Sequence, residues 1–232
     1  MKRRSFHKSL LTMGLGTQAG LAAGGGRTAH AAEDRYLEPA RELPIRRYDV
    51  VVAGGGTGGV VAALAAARMG AKTALIEAKG YTGGTVTEGG TALHSYFNLW
   101  KAFPGVEKRQ VVRGFPQEIV DRLLLRGACS GHAEMDHGYD YDSVCTAIDT
   151  EMYKLVTLEM LHEAGVHLCL NTLVAEAIRE GDRVIGAIAE SRSGREAFYA
   201  KAFIDCTAYG DLCHHAGAQY SEPNDYPVCN SI

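Results

Sequence analysis

The order of apolar and polar positions predicts one strand–helix–strand unit near the start of the chain. Residues 48–53 form an apolar run typical of a strand that is buried on both faces. An alanine-rich stretch over residues 59–69 predicts a helix that ends at Gly70, and residues 72–77 form the second apolar run. This order predicts two parallel strands joined by a right-handed crossover.

The later part of the chain predicts two further helices and a small antiparallel meander. The helices cover residues 117–126 and 150–163, and Thr150 is expected to cap the second. Turn residues at 180–182 and 192–195 separate short runs, which is typical of antiparallel strands. The predicted strands are residues 166–170, 183–190, 196–199 and 202–206, and a helix follows from Leu212.

A glycine cluster joins the first predicted strand to its helix. Gly54, Gly56 and Gly59 have the spacing G-x-G-x-x-G. In this motif the first glycine allows a tight turn, the second lets a pyrophosphate approach the backbone, and the third lets the helix pack on the strand. The helix N-terminus directs free N–H groups at the phosphates, and Glu77 ends the second strand, where it would accept hydrogen bonds from a ribose. The pattern predicts a dinucleotide site.

Three features favour FAD over NAD as the dinucleotide. A second double glycine, Gly83-Gly84, follows Glu77, and an extended cofactor needs close backbone approach over a longer path. The chain continues into a meander, whereas an NAD domain would continue with repeated βα units. The last strand runs into residues 207–211, where a glycine turn and the acid Asp211 suit the hydroxyl groups of an extended cofactor.

The chain resembles the FAD-dependent oxidoreductases of the glutathione-reductase-like fold, in the branch near the fumarate-reductase-type flavoproteins. The matching stretches are residues 49–59, 77–85, 165–174 and 203–211, and they extend over most of residues 48–218. The resemblance implies an α/β fold: a Rossmann-like FAD-binding domain with a parallel sheet, a small antiparallel β-meander and an incomplete substrate domain. It also implies an oxidoreductase that binds FAD and acts on a small-molecule substrate.

The resemblance implies cofactor-binding roles for particular positions. The first glycine turn would hold the pyrophosphate, Glu77 the adenosine ribose, and Val174 the adenine through its backbone. The second turn would line the phosphate and ribityl side, and Asp211 would lie near the ribityl chain. The family usually has Thr-Gly where this chain has Thr207-Ala208, and a positive φ would strain the alanine. The predicted cofactor-binding residues are Gly54, Gly55, Gly56, Thr57, Gly58, Gly59, Glu77, Ala78, Gly83, Gly84, Thr85, Val174, Thr207 and Asp211.

The first 32 residues differ in composition from the rest. They hold five of the 24 Lys and Arg residues and none of the 27 acidic residues, and Arg3-Arg4 precede a mildly apolar stretch rich in Gly and Ala. This pattern predicts a twin-arginine signal peptide, and therefore export by the twin-arginine machinery to the periplasm or the cell exterior. The remainder has 19 basic and 27 acidic side chains, a net charge of −8, so we expect no nucleic-acid partner.

These expectations divide the chain into six segments. The two parts of the FAD-binding domain cover residues 47–95 and 149–218, and the second part contains the meander. Residues 219–232 read as a polar loop that stops without another strand or helix, which predicts a C-terminally truncated member of the family. The remaining segments are the signal peptide over residues 1–32, a linker over residues 33–46 and an inserted, irregular segment over residues 96–148.

The leading hypothesis is an exported enzyme that transfers a hydride between an organic substrate and flavin, and two alternatives stay open. The chain could be a non-catalytic dinucleotide-binding remnant that needs a second polypeptide, or an NAD-dependent dehydrogenase. No catalytic residue is assigned; the candidates for acid–base chemistry are His94, Tyr96, Asp136 and His137. The side chains of consecutive helix residues point about 100° apart. The side chains of Cys213, His214 and His215 therefore cannot easily meet at one ion, and we predict no metal site.

Overall fold

The computed structural model describes residues 36–88, 93–94, 110, 112–134 and 144–220. The predicted signal peptide and most of the predicted C-terminal loop lie outside these residues. Residues 36–41 belong to a separate unit and contain no helix or strand, and the fold described below lies in the second unit, Glu42–Ile232. Within the described part of the chain, no helix has the length and apolar character needed to span a membrane.

The described residues form eleven strands and five helices, and five of the strands follow one another between the last two helices. In chain order they are β1 (Ile45–Arg47), β2 (Val50–Ala53), α1 (Thr57–Arg68), β3 (Thr73–Ile76), α2 (Thr85–Glu88), β4 (Leu93–His94), α3 (Phe115–Leu124), β5 (Ala133–Glu134), β6 (Val144–Ala147), α4 (Thr150–Glu163), β7 (His167–Cys169), β8 (Leu173–Glu180), β9 (Arg183–Ser191), β10 (Gly194–Tyr199), β11 (Ala202–Asp205) and α5 (Asp211–His215).

A four-stranded parallel sheet contains the predicted βαβ unit. Its order is β11-β2-β3-β7, and all three pairings are parallel. Every residue of β3 and three of the four in β2 are buried, as the continuous apolar runs predict for a sheet covered on both faces. Because the strands are parallel, their carboxyl ends meet at one edge of the sheet.

The meander forms a second, mixed sheet with the order β1-β10-β9-β8. The pairings β8–β9 and β9–β10 are antiparallel, which confirms that the chain contains a meander. Its first strand, β8, was not predicted, and the strand predicted over residues 166–170 corresponds to β7 of the parallel sheet. β1 joins β10 in parallel, with Ile45 opposite Ala197. The last two residues of the predicted linker, Ile45 and Arg46, therefore belong to a strand whose partner lies far along the chain.

The core has two parts because successive strand residues point to opposite faces of the parallel sheet. Val52 and Leu75 pack towards the helices, in a cluster with residues of α1, α3 and α4. Val51 and Ile76 pack in the other cluster, with Val174, Ala187 and other residues of the mixed sheet. The second unit therefore contains a layer of helices, a parallel sheet and a mixed sheet. Its described residues also form a third, small sheet with the order β4-β6-β5.

The cap of α4 differs from the sequence prediction by one residue. Asp149 is the N-cap, and its Oδ1 atom accepts from the backbone N–H groups of Glu151 at 2.9 Å and Met152 at 3.1 Å. Thr150 is instead the first residue of the helix. Both side chains are good caps, and the carboxylate also suits the positive end of the helix dipole.

Candidate dinucleotide site

The first glycine turn leaves no room for side chains where β2 meets α1. Gly54 has φ +93°, and a Cβ atom added there would lie 2.2 Å from the carbonyl oxygen of Cys206 at the end of β11. A Cβ atom on Gly59 would lie 1.8 Å from the carbonyl oxygen of Gly54. These two glycines allow α1 to begin directly against the strand ends, with its N-terminus at the carboxyl edge of the sheet.

The second glycine turn packs directly on the first. The N–H of Gly83 donates to the carbonyl oxygen of Gly55 at 2.9 Å. Gly84 has φ +55°, and an added Cβ atom would lie 2.9 Å from the Cα atom of Gly56. The hydroxyl of Thr57 donates to the carbonyl oxygen of Gly83 at 3.4 Å. The two turns therefore form one cradle of backbone groups.

Glu77 supports the first turn from the end of β3. Its Oε2 atom accepts from the N–H of Gly55 at 2.5 Å, and its Oε1 atom accepts from the N–H of Lys79 at 2.7 Å. Each carboxylate oxygen has two acceptor positions, so both oxygens can also accept from a ribose hydroxyl. The sequence predicted only a ribose contact for Glu77, and the structure adds a role in holding the glycine turn.

The end of β11 is tied to α5 by a network around Asp205. Its carboxylate accepts from the N–H and hydroxyl of Thr207, at 3.0 and 2.8 Å, and from the N–H of Cys213 at 2.8 Å. The Thr207 hydroxyl also accepts from the N–H of Asp211 at 2.8 Å. Asp205 was not among the predicted site residues; an acid two residues before a threonine at a strand end was the available signal.

The charges in this network follow from its hydrogen bonds. Partial burial opposes ionisation of Asp205, but the hydrogen bonds from Thr207 and Cys213 outweigh it and lower the pKa of the carboxyl group. The hydrogen bond to Asp205, together with burial, raises the pKa of the Cys213 thiol. Burial raises the pKa of the Cys206 thiol as well. Both thiols therefore remain protonated at neutral pH and are poor nucleophiles.

The three strand ends and the two glycine turns enclose a cleft of about 550 Å³. Nine of the fourteen predicted residues line it: Gly54, Gly56, Glu77, Ala78, Gly84, Thr85, Val174, Thr207 and Asp211. Of the other five, Gly55 and Gly83 lie in the two turns, and Thr57, Gly58 and Gly59 form the start of α1. The remaining lining residues were not predicted from the sequence: Ile76, Lys79, Glu88, Thr172, Leu173, Cys206, Ala208 and Tyr209.

The lining suits a diphosphate held by backbone groups. Lys79 is the one cation among the described residues that line the cleft, and its ammonium group lies 3.4 Å from the carboxylate of Glu88. The N–H groups at the N-terminus of α1, which lack partners within the helix, are therefore the main groups at the cleft that can attract a phosphate. Cβ atoms at Gly54, Gly59 and Gly84 would meet protein backbone, so glycine lets the two turns and α1 pack closely. Gly54, Gly56 and Gly84 bring backbone to the cleft lining, and these residues therefore fit a dinucleotide.

The acid–base candidates do not join this cleft in the described residues. Tyr96, Asp136 and His137 lie outside those residues. The backbone of His94 lies in β4 and pairs with Thr146 of β6. No catalytic side chain is therefore assigned from the structure.

A cleft at the carboxyl edge of a parallel sheet, bordered by two glycine turns, defines an α/β dinucleotide-binding protein. A family model for FAD dependent oxidoreductases matches residues 49–228. The chain therefore belongs to the FAD dependent oxidoreductase family, and FAD is its cofactor. This confirms the family and the cofactor expected from the sequence, and the fold confirms the expected α/β class.

Individual relatives share only part of their length with this chain. It is 63% identical over 38 residues to dihydrolipoyl dehydrogenase of Trypanosoma brucei brucei, which is 16% of this chain and 8% of that protein. A geranylgeranyl bacteriochlorophyll reductase-like protein from Thermoplasma acidophilum is 19% identical, with a TM-score of 0.51 over 75% of this chain and 43% of that one. A flavocytochrome c3 fumarate reductase is 18% identical, with a TM-score of 0.47 over 70% of this chain and 34% of that one. The chain thus spans less than two thirds of each relative.

Proposed function

We propose that this chain is an exported FAD-dependent oxidoreductase that transfers a hydride between an organic small molecule and its flavin. The observation that carries the proposal is the backbone cradle of the two glycine turns at the carboxyl edge of the parallel sheet. The family match favours this reading over a nicotinamide dehydrogenase.

The proposal gives each part of the cleft a binding task. The N–H groups at the N-terminus of α1 hold the pyrophosphate, because they lack intrahelical partners. The N–H groups of Gly54 and Gly55 instead donate to Ile76 and Glu77. Glu77 accepts from the adenosine ribose with the acceptor positions that Gly55 and Lys79 leave open. The backbone of Val174 meets the adenine, and Asp211 and the second turn meet the ribityl side.

The redox chemistry belongs to the cofactor. When bound, the isoalloxazine ring accepts or delivers the hydride, and the protein supplies binding, orientation and electrostatics. The side chains described around the cleft hold the phosphate and ribose parts of such a cofactor. The group that binds the organic substrate is not among them, so the substrate stays unassigned.

Cofactor content tests the proposal directly. The purified chain should show flavin absorption bands in the visible range, either as isolated or after FAD is added and excess is removed. An absence of flavin bands in both samples would contradict the proposal. Titration with NAD is the companion measurement, because tight NAD binding without FAD binding would favour the nicotinamide alternative.

Turnover separates a complete enzyme from a non-catalytic remnant. The non-catalytic alternative is considered because the chain covers only 43% of the Thermoplasma protein that it resembles. Reduction of an artificial acceptor by a single purified chain, with any organic donor, would exclude the remnant. FAD binding without turnover, and recovery of turnover after a second polypeptide is added, would support it.

A further inference from the structure

Helix α4 lies behind both glycine turns and contacts α1 and α2, the helices that follow them. Two of its residues, Tyr153 and Thr157, are one helical turn apart and therefore share a face. Both are fully buried, and so is Thr82, which precedes the second turn. These three polar side chains form a group between α4 and the cradle, which we call the α4 strut together with Thr57.

Thr157 is joined to the second glycine turn by a buried hydrogen bond. Its Oγ1 atom lies 2.7 Å from the Oγ1 atom of Thr82. The Thr157 hydroxyl also donates to the carbonyl oxygen of Tyr153 at 2.9 Å. Because a hydroxyl has a single hydrogen to donate, Thr82 is the donor in the pair and Thr157 the acceptor. Thr82 is followed directly by Gly83, so this bond fixes where the second turn begins.

Tyr153 lies on the same face of α4 as Thr157 and is fully buried. Burial raises the pKa of its phenol to about 12. Thr57, the first residue of α1, donates with its hydroxyl to the carbonyl oxygen of Gly83 at 3.4 Å. The second turn is therefore held by two hydroxyl contacts, one from Thr157 through Thr82 and one from Thr57.

The hydrogen bonds of the α4 strut restrict the backbone freedom that glycine gives to the turns. Glycine gives the cradle its close contacts but also gives the backbone the largest conformational freedom in the unliganded protein. Gly83 and Gly84 adopt φ values of +122° and +55°, and Gly84 lies in contact with Gly56. A turn of this kind holds one geometry only if its surroundings fix it. Buried hydroxyls supply directional bonds, whereas apolar packing alone supplies none.

We propose that Thr157 is a positioning residue that holds the second glycine turn against the first, in the geometry needed for the cofactor's pyrophosphate. It acts through Thr82 and touches no cofactor atom itself. This inference rests on the proposed FAD site. It predicts that loss of the Thr157 hydroxyl lowers FAD affinity by loosening the cradle, beyond any effect on global stability.

The test compares two buried threonines with matched bonds. Thr157→Val removes the hydroxyl that faces Thr82. Thr146→Val removes a hydroxyl in β6 that is also fully buried and lies 2.7 Å from the Nδ1 atom of His132, outside the cleft lining. We expect the FAD dissociation constant to rise about 10-fold in Thr157→Val. It should stay within about twofold of the parent value in Thr146→Val, as expected for a distant site.

Two further measurements separate positioning from general destabilisation. Thr157→Ser keeps the hydroxyl and should restore FAD affinity. In the FAD-free protein, amide hydrogen exchange in residues 54–59 and 82–85 should accelerate in Thr157→Val relative to Thr146→Val at equal thermal stability.

The outcomes distinguish this inference from the proposed function. If the parent chain binds FAD and Thr157→Val binds it equally well, the positioning role is wrong while the FAD site stands. If the parent chain binds no FAD, the proposed function fails, and the amide exchange of the two turns decides the strut alone. Unchanged exchange in the turns of Thr157→Val would overturn it.

Discussion

Ala208 holds a backbone conformation that L-residues rarely adopt. Its φ of +71° lies in the left-handed region, at the point where β11 turns into α5 and the cleft begins. Alanine stands where the family usually has glycine, and its positive φ lowers the stability of the fold by on the order of 1–2 kcal/mol. Strain of this kind persists only where the surrounding bonds fix the backbone, and the Asp205 network supplies such bonds on both sides of the turn.

Replacement of Ala208 with glycine should stabilise the protein. Glycine adopts the left-handed region without a Cβ penalty, and its greater freedom in the unfolded chain offsets part of the gain, so we expect the free energy of unfolding to rise by about 1 kcal/mol. Urea unfolding measures this change in the free energy of unfolding, provided that parent and variant have the same m value.

Ala216 is the matched control for Ala208→Gly. It follows α5 with φ −74°, so glycine relieves no strain there. Ala216→Gly should lower the free energy of unfolding by about 0.5–1 kcal/mol. Equal destabilisation by both glycine substitutions would show that Ala208 carries no strain.

At the level of elements, Asp205 connects β11 to α5. One carboxylate oxygen accepts from Thr207 and the other from the N–H of Cys213. An asparagine keeps one acceptor and loses the other. We therefore expect Asp205→Asn to lower the free energy of unfolding at pH 7 by about 1–2 kcal/mol.

The effect of Asp205→Asn should depend on pH with a defined sign. The pKa of Asp205 is lowered in the folded state from its ordinary value of 3.8. A carboxyl group of this kind stabilises the fold above its unfolded pKa, and the stabilisation is lost as the pH falls through the folded pKa. The difference between parent and variant should thus be largest near neutral pH and shrink below pH 3.8. Asp182→Asn, in an exposed turn, is the charge-matched control. A difference that grows on acidification would refute the role.

Short-range patterns were enough to predict most elements of this fold. The βαβ unit and the meander depend on local periodicity and turn residues, and the glycine spacing depends on a single turn. β1 was missed because Ile45 becomes a strand only through pairing with Ala197. The Thr82–Thr157 bond joins residues 75 positions apart, so no local pattern reports it. Lys79 and Tyr209 line the cleft only because separate strands end at one edge.

At the level of the whole molecule, the basic leader makes the proposed export testable. In the proposed signal peptide, Arg3 and Arg4 would be the pair that the twin-arginine machinery recognises. The double variant Arg3→Lys, Arg4→Lys keeps the positive charge of the leader but removes the arginine pair. The protein should then accumulate in the cytoplasm. Cell fractionation measures this, and Arg27→Lys in the same leader is the control. Unchanged export of the double variant would contradict a twin-arginine route.

The central claim is that the cradle of two glycine turns binds FAD, and one pair of variants tests it most directly. Gly84 and Gly181 have nearly the same φ, +55° and +60°, so alanine is equally strained at both. Only at Gly84 would the added Cβ atom enter the cradle, 2.9 Å from Gly56; at Gly181 it meets open space.

Titration with FAD, followed by flavin fluorescence, should give saturable binding to the parent chain and to Gly181→Ala. We expect the FAD affinity of Gly84→Ala to be at least about 10-fold weaker than that of the parent chain, because a side chain at the contact between the two turns must displace backbone. Equal affinity of the two alanine variants, or no binding by the parent chain, would contradict it.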